Sequence, residues 1–107
     1  LGSPTLMTCP DCGGVLTEIS EDGHLRYRCY TGHVFNGDHL DNQYSKRTEE
    51  TLWVALRMME ERRNFILSME NSADVNEHPS RNRQLQRADE LKEHIEELKR
   101  LLTALNN

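Results

Sequence analysis

Three cysteines and one histidine carry the chemistry of this chain. Cys9 and Cys12 stand in the run Cys9-Pro10-Asp11-Cys12-Gly13-Gly14, and after a gap of sixteen residues comes Cys29-Tyr30-Thr31-Gly32-His33. Two donors separated by two or three residues sit in a tight turn that aims both side chains at one point. Two such turns at the ends of a hairpin supply four donors in a tetrahedron, the arrangement zinc prefers. Gly13 and Gly32 fall where a sharply turning chain benefits from positive φ and from amides directed at sulfur, and Pro10 narrows the first turn further. Thiolates favour zinc or an iron-sulfur centre over calcium or magnesium, and three cysteines with one histidine on a ribbon-like hairpin favour zinc.

The expected ligands are therefore Cys9, Cys12, Cys29 and His33, holding one structural Zn2+. His24 and His39 are alternatives for the fourth position, but neither shares a tight turn with a cysteine. His78 and His94 read as exposed polar positions. A catalytic zinc keeps a coordination position open for water and needs a general base nearby, whereas four protein donors close this site. A redox role for Cys9 and Cys12 expects a βαβ context that the chain lacks. The metal also answers a shortage of core. Leu16, Ile19, Leu25, Tyr27, Val34 and Phe35 are the apolar side chains of the ribbon region, too few to offset the backbone entropy of ordering it. A structural zinc contributes about 10 to 16 kcal/mol of binding free energy that appears as folding free energy.

The elements that must position these donors follow from periodicity. Val15 to Ser20 and His24 to Cys29 read as two strands around Glu21-Asp22-Gly23, a hairpin signal. After Gly37 the only proline is Pro79 and no glycine follows. Two helices are expected, about 38–72 with Asp38 as cap and about 80–105 with Ser80 as cap, joined as an antiparallel hairpin. In the first, Leu52, Met59 and Ile66 recur every seven residues with Leu56 between, inside a broad and irregular stripe that also includes Leu40 and Tyr44. In the second, Leu85, Ala88, Leu91, Ile95, Leu98, Leu102 and Leu105 form a coiled-coil seam. The fold class expected is mainly α: a small zinc-ribbon-like β-hairpin (6–37) followed by an antiparallel two-helix coiled-coil hairpin (38–107). Residues 1–5 read as a tag remnant and linker, Leu1-Gly2-Ser3 resembling the end of a cleaved expression tag on an excised domain.

Composition limits what such a chain can do. Its 107 residues carry a net charge of −5, with 36% hydrophobic and 29% charged residues, and the mean hydropathy is −0.79 with pI near 5.5. A chain of this sign gains little from counterion release on a phosphate backbone, so nucleic acid is a disfavoured partner. No segment has the length and apolarity of a membrane span, and membrane insertion is not expected. Reduced cysteines suit a cytoplasmic location. No nucleophile elbow, phosphate-binding loop or His-Glu-x-x-His pair occurs, and the doublets Glu49-Glu50, Glu60-Glu61 and Glu96-Glu97 diverge on a helix, so no active site is expected.

The stretch from Cys9 to about Arg63 resembles a C-terminal extension of CheB-type bacterial chemotaxis protein-glutamate methylesterases. The resemblance rests on Cys9-Pro10-Asp11-Cys12-Gly13-Gly14-Val15-Leu16, on Arg26-Tyr27-Arg28-Cys29-Tyr30-Thr31-Gly32-His33-Val34-Phe35, and on Leu52-Trp53-Val54-Ala55-Leu56-Arg57 with Glu60-Glu61-Arg62 following. It covers about half the chain. It implies a partner domain of a signalling methylesterase whose catalytic domain is absent here, and it assigns no catalytic residue.

The function expected is a non-catalytic, zinc-stabilised interaction or assembly module in signal transduction, with its helices available to a second copy or to a neighbouring domain. The alternative is a nucleic-acid-binding zinc ribbon of a transcription-related protein. That reading needs a basic face, yet residues 1–37 set Asp11, Glu18, Glu21 and Asp22 against Arg26 and Arg28.

Overall fold

A computed structural model describes residues 2–70 and 81–106. In chain order it contains β1 (Ser3–Thr8), β2 (Val15–Glu21), β3 (His24–Arg28), β4 (Val34–Phe35), α1 (Gly37–Glu70) and α2 (Arg81–Leu105). The strands form one antiparallel sheet in the order β1-β2-β3-β4, so a small β module followed by two helices is the observed architecture. The Ser80 cap, the Pro79 interruption and the last residues proposed for the first helix lie outside the described residues.

The β2–β3 hairpin turns where the Asp-Gly pair stands. Glu21 pairs with His24, which leaves Asp22 and Gly23 as a two-residue loop, and both take positive φ (52° and 78°). Those values are the pair that a twisted hairpin of this length requires, and Asp and Gly tolerate them best. The sheet is wider than the two strands read from the sequence. Ser3–Thr8 adds to β2 with a register irregularity between Pro4 and Thr8, so residues 3–5 of the expected remnant and linker lie in a strand. Backbone pairing asks nothing of side-chain pattern, and β1 is exposed along nearly its whole length, so it carries no periodicity to read.

The chain divides into two compact units, 1–48 and 49–107. The first therefore takes in the opening turns of α1. Its core consists of Cys9, Leu16, Cys29, Phe35 and Leu40, with Tyr27 and Tyr44 packed against it. Leu40 and Tyr44, one helical turn apart, give this small sheet the apolar cover it lacks, while Leu25 and Val34 stay exposed. The helix is capped by Asn36 and not by Asp38. The Asn36 side chain accepts the His39 amide at 2.7 Å and its carbonyl accepts the Leu40 amide at 2.9 Å, which places Asp38 inside the first turn, where its charge suits the helix dipole.

In the second unit the two helices pack antiparallel. Leu56 clusters with Ile95 and Leu102, supported by Leu52, Met59 and Leu98; further along α1, Ile66 clusters with Ala88 and Leu91. Contacts thus move down α2 as they move up α1. Arg63 falls at a seam position opposite Ala88, and its Nε donates to the Ala88 carbonyl at 3.2 Å. The small alanine admits the long side chain, whose stem packs while its head is paired. The seam frays at its ends, with Leu85 and Leu105 exposed.

Leu102 is 1% exposed, so replacing it leaves a cavity that straight helices close poorly. Leu102→Ala is expected to lower stability by about 2 to 5 kcal/mol, read from urea unfolding followed by helical circular dichroism.

Candidate metal centre

Each donor pair comes from a loop closed by its own backbone. In the first loop the Cys9 amide donates to the Gly14 carbonyl at 2.6 Å and the Gly13 amide to the Cys9 carbonyl at 2.8 Å. In the second, the Cys29 amide donates to the His33 carbonyl at 3.0 Å and the Gly32 amide to the Cys29 carbonyl at 3.2 Å. Gly32 has φ of 103°, a value that any side chain would strain. These loops follow β1 and β3, and the sheet brings them side by side.

The four donor atoms of Cys9, Cys12, Cys29 and His33 all lie within 4.8 Å of one another. The structure brings these four together and leaves the other candidates elsewhere. His39 has its ring against Phe35, with centroids 5.2 Å apart, and His24 opens β3 opposite Glu21. The imidazole presents Nδ1 to the sulfurs, at 3.1 Å from Cys29 Sγ and 3.7 Å from Cys9 Sγ. Cys9 and Cys29 are buried, while Cys12 and His33 face solvent. None of the three cysteines is in a disulfide.

Loop amides aim at the sulfurs. The Asp11 amide donates to Cys9 Sγ at 3.4 Å and the His33 amide to Cys29 Sγ at 3.3 Å. The electrostatics differ from ligand to ligand. Burial pushes the Cys9 thiol up, against the opposing pull of the Asp11 and Cys12 amides. Burial opposes ionisation of Cys29 too, but hydrogen bonds from the Thr31 hydroxyl, the His33 amide and the Cys12 and His33 side chains outweigh it and bring the thiol down to about 5. Cys12 is lowered, chiefly by the Thr31 hydroxyl and then by the Gly14 amide. His33 is raised by its hydrogen bonds to Cys12 and Cys29. Thiols held down at Cys12 and Cys29 beside an imidazole held up at His33 are the mutual shifts expected of converging ligands.

Several contacts around the centre were not anticipated from the sequence. Asp11, between the first two cysteines, accepts Arg47 Nη2 at 3.0 Å and Gln43 Nε2 at 3.3 Å, and the Tyr44 hydroxyl donates to the Thr8 carbonyl. Three residues of α1 at helical spacing thereby clasp the first loop. Thr31 turns its hydroxyl toward the donors, at 3.0 Å from Cys29 Sγ. The available signal was a short hydroxyl side chain two residues after a cysteine, and a chain-reversed clasp between residues 11 and 47 leaves none.

Comparison with known protein families, curated proteins and solved structures finds no significant match for this chain. In particular, no match links it to CheB-type methylesterases. The four donors can hold a metal ion on their own chemistry. No helix among the described residues is long and apolar enough to cross a membrane.

A metal must displace the protons its ligands carry. Cys9, raised above 9.0, is a thiol at neutral pH, and His33, raised above 6.5, keeps its proton to higher pH than a free imidazole does. Metal affinity should therefore climb with pH to beyond about 9, the range in which Cys9 ionises, and binding near pH 7 should release at least about one proton. Calorimetry in buffers of different ionisation enthalpy measures that number, and a pH-independent affinity would contradict the donor assignment.

Proposed function

We propose that the chain is a non-catalytic interaction module whose N-terminal sheet is held by one zinc ion on Cys9, Cys12, Cys29 and His33. The observation that carries this reading is the convergence of three sulfurs and one imidazole nitrogen from two closed loops. Their chemistry fits zinc: three soft thiolates with one imidazole make a closed structural donor set. A tetrahedron with metal-sulfur bonds of about 2.3 Å has edges of about 3.8 Å, so the widest pair needs to close by only about 1 Å. When bound, the ion supplies cross-linking and charge neutralisation, and the chain's own loops orient the ligands. Buried apolar residues are too sparse in this unit for the sheet to be stable without such a link.

The helices supply the interaction surface. Val54, Met58, Phe65 and Met69 recur on α1 with spacings of 4, 7 and 4, and all are at least 45% exposed. They lie off the Leu52-Leu56-Met59-Ile66 seam that packs on α2. Such a stripe supports pairing with a second copy into a four-helix arrangement, or with a neighbouring domain. The resemblance of the motifs quoted above supports a parent of the signalling methylesterase type in the bacterial cytoplasm.

Elemental analysis of the purified chain should return about one zinc per chain. Chelation should melt the sheet, while the helical hairpin survives in the circular dichroism spectrum. A fully folded chain without metal would overturn the reading.

Light scattering should give a mass above that of the monomer at high concentration, and Phe65→Glu, 63% exposed in the wild type, should return the chain to a monomer. A wild-type chain that stays monomeric would remove self-association.

A further inference from the structure

A side chain that is not itself one of the four donors lies against three of them. The Thr31 hydroxyl oxygen lies 3.0 Å from Cys29 Sγ, 3.2 Å from His33 Nδ1 and 3.5 Å from Cys12 Sγ. It therefore touches three donors at once, two of which, Cys12 and His33, are the exposed members of the set. Its neighbour Tyr30 points away and is 99% exposed, so the inward turn of Thr31 is not a general property of the loop.

The hydroxyl carries one proton. With Nδ1 engaged as a ligand, that proton has two acceptors within reach, Cys29 Sγ and Cys12 Sγ. A divalent ion with three thiolates and a neutral imidazole has a net charge of −1, and the excess resides on sulfur. Backbone amides of Asp11 and His33 already relieve Cys9 and Cys29, and these persist whatever side chains the loops carry. The hydroxyl adds a relief that depends on side-chain identity, shared between the buried Cys29 and the exposed Cys12.

We infer that Thr31 is a positioning residue for the metal centre: its hydroxyl donates to the Cys29 and Cys12 sulfurs, draws charge from them and so fixes how tightly the ion is held. This rests on the four-donor reading of the site. A hydroxyl at this position is the property that matters, so serine preserves the effect while valine, close in shape but without a donor, loses it.

The test uses Co(II) as a spectroscopic probe on the full chain and on Thr31→Val, Thr31→Ser and Thr31→Ala. The wild type should show tetrahedral ligand-field bands and a sulfur-to-cobalt charge-transfer band. Thr31→Val should keep the ligand-field pattern, shift the charge-transfer band to lower energy because the sulfurs are more electron-rich, and weaken zinc binding by about tenfold in competition titrations. Thr31→Ser should restore both. A Thr31→Val spectrum and affinity equal to wild type, or a Thr31→Ser variant as impaired as valine, would overturn the inference. If valine prevents a tetrahedral site from forming, Thr31→Ala carries the same comparison with the same outcomes. A wild-type chain that binds neither Co(II) nor zinc would instead overturn the metal reading, and this inference with it.

Discussion

The N-terminal unit depends on keeping three sulfurs and an imidazole nitrogen together at one place. Cys9 and Cys29 are at once members of the donor set and two of the five buried residues of the core. The usual division between a site and the scaffold that holds it is therefore absent here. Packing alone would favour neutral thiols in those two positions, since burial resists charge. Hydrogen bonds from the Thr31 hydroxyl, the His33 amide and the Cys12 and His33 side chains reverse that preference at Cys29, which falls to about 5, whereas the loop amides do not reverse it at Cys9. A cation in the cluster would settle the conflict, because it stabilises the ionised form of both. The loops and the core are thus each incomplete without the convergence, and the convergence has no geometry without them.

The first turns of α1 complete this arrangement. Leu40 and Tyr44 close the core, and Arg47 with Gln43 holds Asp11 between the first two cysteines. Asp11 is only 23% exposed at its side chain, against 48% for Arg47. An ion pair so placed contributes on the order of 1 kcal/mol or less, but its position matters more than its strength. It ties the orientation of the Cys9–Cys12 loop to a helix, which bends less easily than a loop does. The N-terminus of that helix is in turn set by Asn36, directly after β4. Sheet, cap, helix and loop close a ring of constraints around the donors.

What could be read from the sequence was whatever local chemistry or strict periodicity dictates. The donor spacings, the Asp22-Gly23 turn and the seam of α2 each come from rules acting within a few residues, and the structure brings the donors together, turns the chain at that pair and packs Ala88, Leu91, Ile95 and Leu102. The features that escaped depend on partners distant in the chain. β1 is recruited by backbone pairing with β2, which leaves no side-chain signature. Asp11 is held by residues 32 and 36 positions away. Asn36 and Asp38 are both good caps by type, and only the end of β4 decides that the helix starts at Gly37. Arg63 would be excluded from a seam by polarity; it is accommodated because Ala88 opposite is small and offers a carbonyl.

The irregular stripe of α1 has the same origin. Leu40 and Tyr44, and then Val54, Met58 and Phe65, fall on one repeat of alternating three and four residues with Met69 one position past it, while Leu52, Leu56, Met59 and Ile66 fall on another. Read together they blur into a broad apolar surface with no clean period. The structure separates them by what they touch: the first two residues serve the sheet core, the second repeat serves α2, and the remaining four stay exposed. A helix built only to pair with α2 would need one repeat and would profit from charge elsewhere, as α2 does with Lys92, Glu93, Glu96, Glu97 and Arg100. Retaining a second apolar repeat costs solubility. That cost falls on α1 in the residues left over after both internal tasks are met, which is the physical ground for reading them as an outward-facing surface.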